Sequence, residues 1–89
     1  LAGADFLCEF WGRAGDYYKI KTKNKFNKNE DIEVISPDEK FVTQVTEIKN
    51  MKGEELELAN TNDELLVKLT NAPKDAEFAL ARTVGIKRV

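Results

Sequence analysis

Histidine is missing from the 89-residue sequence, and cysteine occurs once, as Cys8. Histidine is the commonest general base and metal ligand, and it activates most serine and cysteine nucleophiles. A lone cysteine without histidine provides neither a zinc cluster nor a thiol–imidazole pair. The sequence therefore predicts no catalytic residue, no metal site and no cofactor, and we expect the chain by itself not to be an enzyme.

Long apolar runs and phosphate-binding glycine loops are also missing. The five glycines never adopt the GxxxxGK or GxGxxG spacing. No apolar run approaches the roughly 20 residues that cross a bilayer, and no charged start followed by an apolar stretch marks a signal peptide. We therefore expect no membrane association. The unpaired Cys8 favours a cytoplasmic protein, with secretion as the alternative.

The composition that remains is that of a globular domain. Hydrophobic residues make up 42% of the chain, charged residues make up 34%, and the net charge is −2. A chain of this length fits one domain. Because the first residue is Leu1 and the sole methionine is Met51, we expect residues 1–89 to be a single domain cut from a larger protein.

Alternation of apolar and polar residues predicts short β-strands along most of the chain. The predicted strands are residues 5–11, 17–26, 31–35, 41–48, 54–58 and 65–69, and the alanine-rich stretch 78–82 has no clear assignment. Turn signals separate them roughly every eight to twelve residues, which is typical of all-β sandwiches and barrels. We favour a small closed or nearly closed β-barrel of six to seven short strands, because closure removes the unpaired edges of a small sheet.

Two of these strands also predict which side chains face the core. Phe6, Cys8 and Phe10 share one face of the first strand, which we expect to break at residues 12–16. Cys8 is therefore predicted to be a small buried hydrophobe. In the strand 17–26 the apolar residues occupy one face. The other face carries a lysine ladder, formed by Lys19, Lys21, Lys23 and Lys25.

The lysine ladder and nearby aromatic residues are the candidate contact residues. A basic stripe can bind a polyanion such as transfer RNA. Because the chain is slightly acidic, we favour a solvated strand face that discourages edge-to-edge association. Trp11, Arg13 and Tyr17 are further candidates for substrate or partner contact, since tryptophan, arginine and tyrosine often anchor interfaces. Core packing is the alternative interpretation of Trp11.

Several short motifs follow one another in a definite order. An N-K-F segment at residues 24–26 is followed by Asn29 and Glu30 and then by D-I-E-V at residues 31–34. The later motifs are Ser36 with Pro37, V-T-E-I at 45–48, a turn containing Gly53, and L-L-V-K-L at 65–69. This order resembles the C-terminal domain of the collagenase-like peptidases of family U32, in which a Gly-Asp turn stands in place of Asn29 and Glu30.

The resemblance implies a compact β-barrel appended to a catalytic domain that this chain lacks. In that family the barrel is thought to help bind or cover a protein substrate, while the chemistry belongs to the preceding domain. No catalytic residue of the family maps onto this sequence. Because some relatives act on transfer RNA, a nucleic-acid-binding module is one alternative, and a purely structural domain that packs on the catalytic domain is another.

The turn at residues 27–30 gives a sharper prediction. Asparagine is the residue other than glycine that most readily takes positive φ. If the family's Gly-Asp turn keeps its shape here, Asn29 has a left-handed backbone conformation. This turn would then set the register between the strand with the lysine ladder and the strand 31–35.

Overall fold

Nine β-strands make up the regular structure of the chain in a computed structural model, which describes residues 6–73 and 79–84. They are β1 (Phe6–Ala14), β2 (Tyr17–Thr22), β3 (Phe26–Asn27), β4 (Asp31–Ile35), β5 (Lys40–Asn50), β6 (Glu55–Leu56), β7 (Leu58–Ala59), β8 (Glu64–Leu69) and β9 (Leu80–Thr83). These ranges contain no helix. A membrane-spanning helix is therefore also absent from these ranges.

Six of the strands form a closed antiparallel barrel. Their order is β4-β9-β1-β2-β8-β5, and β4 also pairs with β5, which closes the ring. Strand β6 extends the sheet from β5 outside the ring, while β3 and β7 form a separate two-stranded pair. The prediction of a small all-β barrel is confirmed.

The interior of the barrel is filled from the inward faces of all six ring strands. Phe10 and Tyr18 meet edge to face, with ring centroids 6.0 Å apart and planes at 77°, a favoured aromatic geometry. The other buried hydrophobic side chains in the ring strands are Leu7, Cys8, Ile20, Ile32, Val34, Val45, Ile48, Leu65, Val67 and Ala81. Because side chains alternate along a strand, the residues between these point outward.

The first strand differs from its prediction in two ways, both caused by shifts in register. Gly12 does not break β1, which continues to Ala14, because a bulge between Phe10 and Gly12 absorbs one extra residue against β2. A second shift, against β9, lies between Phe6 and Cys8. As a result Leu7 is buried beside Cys8, and Phe6, which was predicted to face the core, is 36% exposed.

The predicted strand 17–26 is also shorter than expected. It ends at Thr22 because the chain turns there, and the amides of Lys23 and Asn24 both donate to the carbonyl of Leu7. Phe26 is buried as predicted, but it belongs to β3, so Lys23 and Lys25 of the lysine ladder both lie beyond the end of β2. The predicted strand 54–58 is divided into β6 and β7. The stretch 78–82 contributes β9, while position 78 lies outside the described residues.

The turn at residues 27–30 has the predicted conformation. The prediction that it sets the register between β2 and β4 is wrong, because β2 pairs with β1 and β8, whereas β4 pairs with β5 and β9. Asn29 has a φ of 71°, in the left-handed region. Its amide donates to the carbonyl of Val45 at 2.7 Å, and the Val45 amide donates to the carbonyl of Glu30 at 3.1 Å. The Glu30 side chain also accepts a hydrogen bond from the amide of Asn27 at 2.9 Å. The turn is thereby fixed to β5 just before β4 begins.

Substitution of Asn29 tests this turn. We expect Asn29→Gly to be neutral or mildly stabilising, and Asn29→Val to lower the free energy of unfolding by about 1–3 kcal/mol, since a β-branched residue resists positive φ. Asn27→Val is the matched control, because Asn27 is exposed two residues away in a strand that tolerates valine. Equal melting temperatures for Asn29→Val and Asn29→Gly would contradict the left-handed assignment.

Candidate functional site

Aromatic and lysine side chains come together on the outer surface of β1, β2, β8 and β5. We call this surface the aromatic–lysine face. Its members are Trp11, Tyr17, Lys19, Glu47, Lys49, Leu66 and Lys68, all of which are exposed or half-buried.

Strand register brings these residues together from distant parts of the sequence. Lys19 in β2 lies opposite Gly12 of β1 on one side and Leu66 of β8 on the other. Leu66 in turn lies opposite Lys49 of β5, and Lys68 lies opposite Glu47. Directly opposite residues on antiparallel strands share one face of the sheet, within about 4.5–5.5 Å between Cβ atoms. The outer surface formed by these opposite residues is therefore continuous across β1, β2, β8 and β5.

The bulge in β1 places Trp11 on this surface. Trp11 is the extra residue between Phe10 and Gly12, and its side chain is 44% exposed. Its indole Nε1 donates to Oε1 of Glu9 at 3.2 Å, and Nζ of Lys19 lies 5.7 Å from its ring centroid. Both contacts hold the indole in place while much of it stays open to solvent.

Tyr17 is the centre of a tighter group. Its hydroxyl donates to Oε1 of Glu47 at 2.5 Å. Nζ of Lys49 lies 4.9 Å from the centroid of its ring, and Nζ of Lys68 lies 5.5 Å from it. Lys68 also approaches Oε2 of Glu47 at 3.9 Å. The side chain of Tyr17 thus contacts two ammonium groups through its ring and a carboxylate through its hydroxyl.

The charges within this group reinforce one another. The hydrogen bond from Tyr17 lowers the pKa of Glu47, and the positive charges of Lys68 and Lys49 add to that effect. The pKa of Lys49 is raised, first by the Tyr17 hydroxyl and further by Glu47. Glu47 and Lys49 are therefore charged at neutral pH. With three lysines against one glutamate, the aromatic–lysine face is positive although the chain is acidic overall.

The four lysines of the predicted ladder have different surroundings. Lys19 has no acidic residue directly opposite, as described above. Lys21 lies opposite Glu9 and Glu64, and its Nζ donates to the carbonyl of Asn62 at 3.0 Å. Lys23 approaches Glu9 at 3.9 Å, and Lys25 lies beyond the strand. The ladder is therefore not one continuous basic stripe.

Arg13 lies apart from the aromatic–lysine face. It is opposite Tyr18, and its guanidinium carbon lies 5.5 Å from the centroid of that buried ring. Its Nη2 is also within 3.4 Å of the Gly15 carbonyl. Among the contact residues predicted from sequence, Trp11, Tyr17 and Lys19 are thus brought together, and Arg13 is not.

Sequence reasoning missed Glu47, Lys49, Leu66 and Lys68. They belong to strands that are far from Tyr17 in sequence, and no local motif marks them. A weak signal exists, because each is next to a core residue of a predicted strand and must point outward. Connecting them to Tyr17 requires the order of β2, β8 and β5, which alternation alone does not provide.

The described residues offer neither a cluster of metal ligands nor a reactive thiol. No group of three or more histidine, cysteine, aspartate or glutamate side chains within residues 6–73 and 79–84 could hold a metal ion. Cys8 is buried as predicted, and its burial, with a smaller contribution from the charge of Glu9, raises the pKa of its thiol to about 12. A thiol that stays protonated at neutral pH is a poor nucleophile.

Tyr17→Phe tests the electrostatics of the group around Tyr17. Loss of the hydroxyl should raise the pKa of Glu47 toward its ordinary value, which NMR titration of the Glu47 carboxyl carbon measures directly. A lowered pKa in the folded state stabilises the fold at higher pH, and this contribution is lost as pH falls through the folded pKa. The two proteins should therefore differ most in stability near neutral pH and converge on acidification.

Lys25→Met serves as the control for Tyr17→Phe, because it removes a lysine outside the aromatic–lysine face. It should leave the Glu47 titration unchanged. An unaltered Glu47 pKa in Tyr17→Phe would contradict the hydrogen bond as the main cause of the shift.

Comparisons with known proteins agree with this architecture. Residues 3–82 match the family model described as the peptidase family U32 C-terminal domain. The fold is similar to two crystal structures of the C-terminal domain of a Geobacillus thermoleovorans protein described as a U32 peptidase. The selenomethionine variant has a TM-score of 0.76 and 18% identity over 89% of this chain and 99% of that chain.

The second structure has a TM-score of 0.75 and 18% identity over 88% of this chain and 90% of that chain. At this identity the structures establish similarity of fold alone. A search of curated proteins found no match. The family match nevertheless covers nearly the whole chain and confirms the resemblance of the motifs between residues 24 and 69. The chain therefore belongs to the family of C-terminal domains of U32 peptidases.

Proposed function

We propose that this chain is a non-catalytic accessory domain of a U32 peptidase, and that it helps the catalytic domain of the parent protein to bind or cover a protein substrate. The aromatic–lysine face is the observation that carries the proposal. On this surface the exposed ring of Trp11 and the half-buried ring of Tyr17 occur together with an aliphatic side chain and charges of both signs.

The composition of this face suits a polypeptide. Tryptophan and tyrosine are enriched among residues that dominate binding energy at protein interfaces. Trp11 and Tyr17 supply such rings, and Leu66 lies in the same surface between Lys19 and Lys49. The hydrogen bonds and cation–π contacts of both rings hold them before binding, which reduces the entropy that binding would cost.

A protein substrate is favoured over nucleic acid because of the acidic side chains. Glu47 lies within the aromatic–lysine face and is held there by Tyr17 and Lys68. Beyond Lys19, the ladder lysines Lys21 and Lys23 lie opposite or beside Glu9. A phosphate backbone would meet these carboxylates, whereas a polypeptide offers partners for both signs of charge.

The fluorescence of Trp11 reports peptide binding directly, because Trp11 is the single tryptophan of the chain. We expect its fluorescence to change when short gelatin peptides are added. Tyr17→Ala should weaken this binding about tenfold, equivalent to ~1.4 kcal/mol. Met51→Ala is the matched control, since Met51 is 51% exposed but lies outside the face; it should bind as the unaltered chain does.

Two results would contradict the proposal. One is unchanged peptide binding in a folded Tyr17→Ala, Lys49→Ala variant. The other is hydrolysis of gelatin by the purified chain itself, abolished by substitution of one of its own carboxylates.

A transfer-RNA-binding module is the second candidate. The specific observation in its favour is that Lys19, Lys49 and Lys68 lie close to the rings of Trp11 and Tyr17, a combination found in proteins that bind single-stranded nucleic acids. If this candidate holds, affinity for transfer RNA should fall steeply between about 50 and about 200 mM salt. A Lys19→Ala, Lys49→Ala, Lys68→Ala variant should then bind much more weakly, and equal binding at low salt would eliminate the candidate.

A further inference from the structure

Exposed apolar side chains gather on β1, β4, β5 and β9, and we call this surface the apolar patch. It consists of Phe6, Ile35, Val42 and Leu80. Phe6, Val42 and Leu80 are 36%, 48% and 42% exposed, and Ile35 is half-buried. Isolated exposed hydrophobic residues are ordinary, but a contiguous group of them marks an interaction surface.

Register shows that the patch is contiguous. Ile35 of β4 lies opposite Leu80 of β9. In the neighbouring row Arg82 lies opposite Phe6 on one side and Glu33 on the other, and Glu33 lies opposite Val42. Four apolar side chains thus surround the ion pair between Arg82 and Glu33.

The ion pair gives the patch no net charge. Nε of Arg82 donates to Oε1 of Glu33 at 2.8 Å, and the Glu33 side chain is 18% exposed. Beside the pair lies a recess of about 240 Å³, lined by Phe6, Ile35, Leu80, Ala81 and Arg82. The recess has room for an apolar side chain from a partner, while the charges of the carboxylate and the guanidinium already offset each other.

The patch also faces away from the aromatic–lysine face. β9 and β8 are separated by β1 and β2 on one side of the six-strand ring and by β4 and β5 on the other. Their outer faces therefore point in opposite directions. A partner that covers Leu80 on β9 leaves Leu66 and Lys68 on β8 open.

We propose that the apolar patch packs against the domain that precedes the barrel in its parent chain, and that this domain inserts an apolar side chain into the recess beside Leu80. The inference depends on membership of the U32 C-terminal domain family and is independent of what the aromatic–lysine face binds. It assigns the two surfaces to different partners.

The position of the patch identifies its partner. The family match begins at residue 3, only a few residues before Phe6. Residues 3–5 span at most about 10 Å in any conformation, so the chain that leads into the family match reaches the barrel at the Phe6 end of the patch, which favours the preceding domain as the partner. An uncharged apolar surface with one internally paired arginine also suits an interface within a chain, which typically buries about 600–1,500 Å².

Hydroxyl-radical footprinting of side chains tests this assignment, in the parent protein and in the 89-residue chain. We expect Phe6 and Leu80 to be oxidised at least about fivefold more slowly in the parent than in the chain. Met51 is the internal control, because it is exposed outside the patch. It should be oxidised at equal rates in both proteins. In the parent, Leu80→Asp should restore oxidation of Phe6, whereas Met51→Asp should not.

Other occupants give distinct results, and each would overturn the proposal. If residues 85–89 cover the patch, Phe6 and Leu80 are already protected in the isolated chain and become reactive when those residues are deleted. If a second copy covers it, their protection in the isolated chain rises with concentration, together with a dimer in light scattering. Equal reactivity of both residues in the two proteins would show that no domain packs there. None of these results changes peptide binding at Trp11, so the proposed function is tested separately.

Discussion

The pairing of β4 with both β5 and β9 is the contact on which the rest of the structure depends. β4 has five residues, Asp31–Ile35, and it is the strand that closes the ring. Once the ring is closed, alternation along every strand separates an inside from an outside. Ile32 and Val34 then complete the core, while Glu33 and Ile35 are directed to the surface. The left-handed Asn29 matters because the turn that it forms is bonded to Val45 of β5, and β4 begins directly after this turn in register with β5.

Closure also separates two surfaces of different chemistry. The aromatic–lysine face lies across β2, β8 and β5 with Trp11 added by a bulge, and it is polar, aromatic and positive. The apolar patch on the opposite side is uncharged because Arg82 and Glu33 neutralise each other. A small accessory domain with two opposite surfaces can bind two partners at once. In the proposed arrangement one partner is the remainder of the peptidase and the other is its substrate.

The features predicted correctly from the sequence are those that depend on residues close together in the chain. The alternation in β2 identified Tyr18 and Ile20 as core and Lys19 as outward. The resemblance to the family's Gly-Asp turn, with asparagine's tolerance of positive φ, identified Asn29 as left-handed. The predictions that were wrong concern features that depend on contacts between distant segments of the chain. The bulge beside Phe6 and the end of β2 before Lys25 are set by pairing of β1 with β9 and by bonds to Leu7, which no window of sequence contains. The same limit explains the candidate site, because Tyr17 meets Glu47, Lys49 and Lys68 only through strand order.

Amide chemical-shift mapping of the isotope-labelled chain with short gelatin peptides most directly tests the claim that the aromatic–lysine face is the substrate surface. The account predicts shifts concentrated at Tyr17, Lys19, Lys49 and Leu66, with Ile35 and Leu80 unchanged, because peptide and preceding domain use opposite sides of the barrel. Shifts concentrated at Ile35 and Leu80, or no shifts at a peptide concentration that alters Trp11 fluorescence, would contradict it.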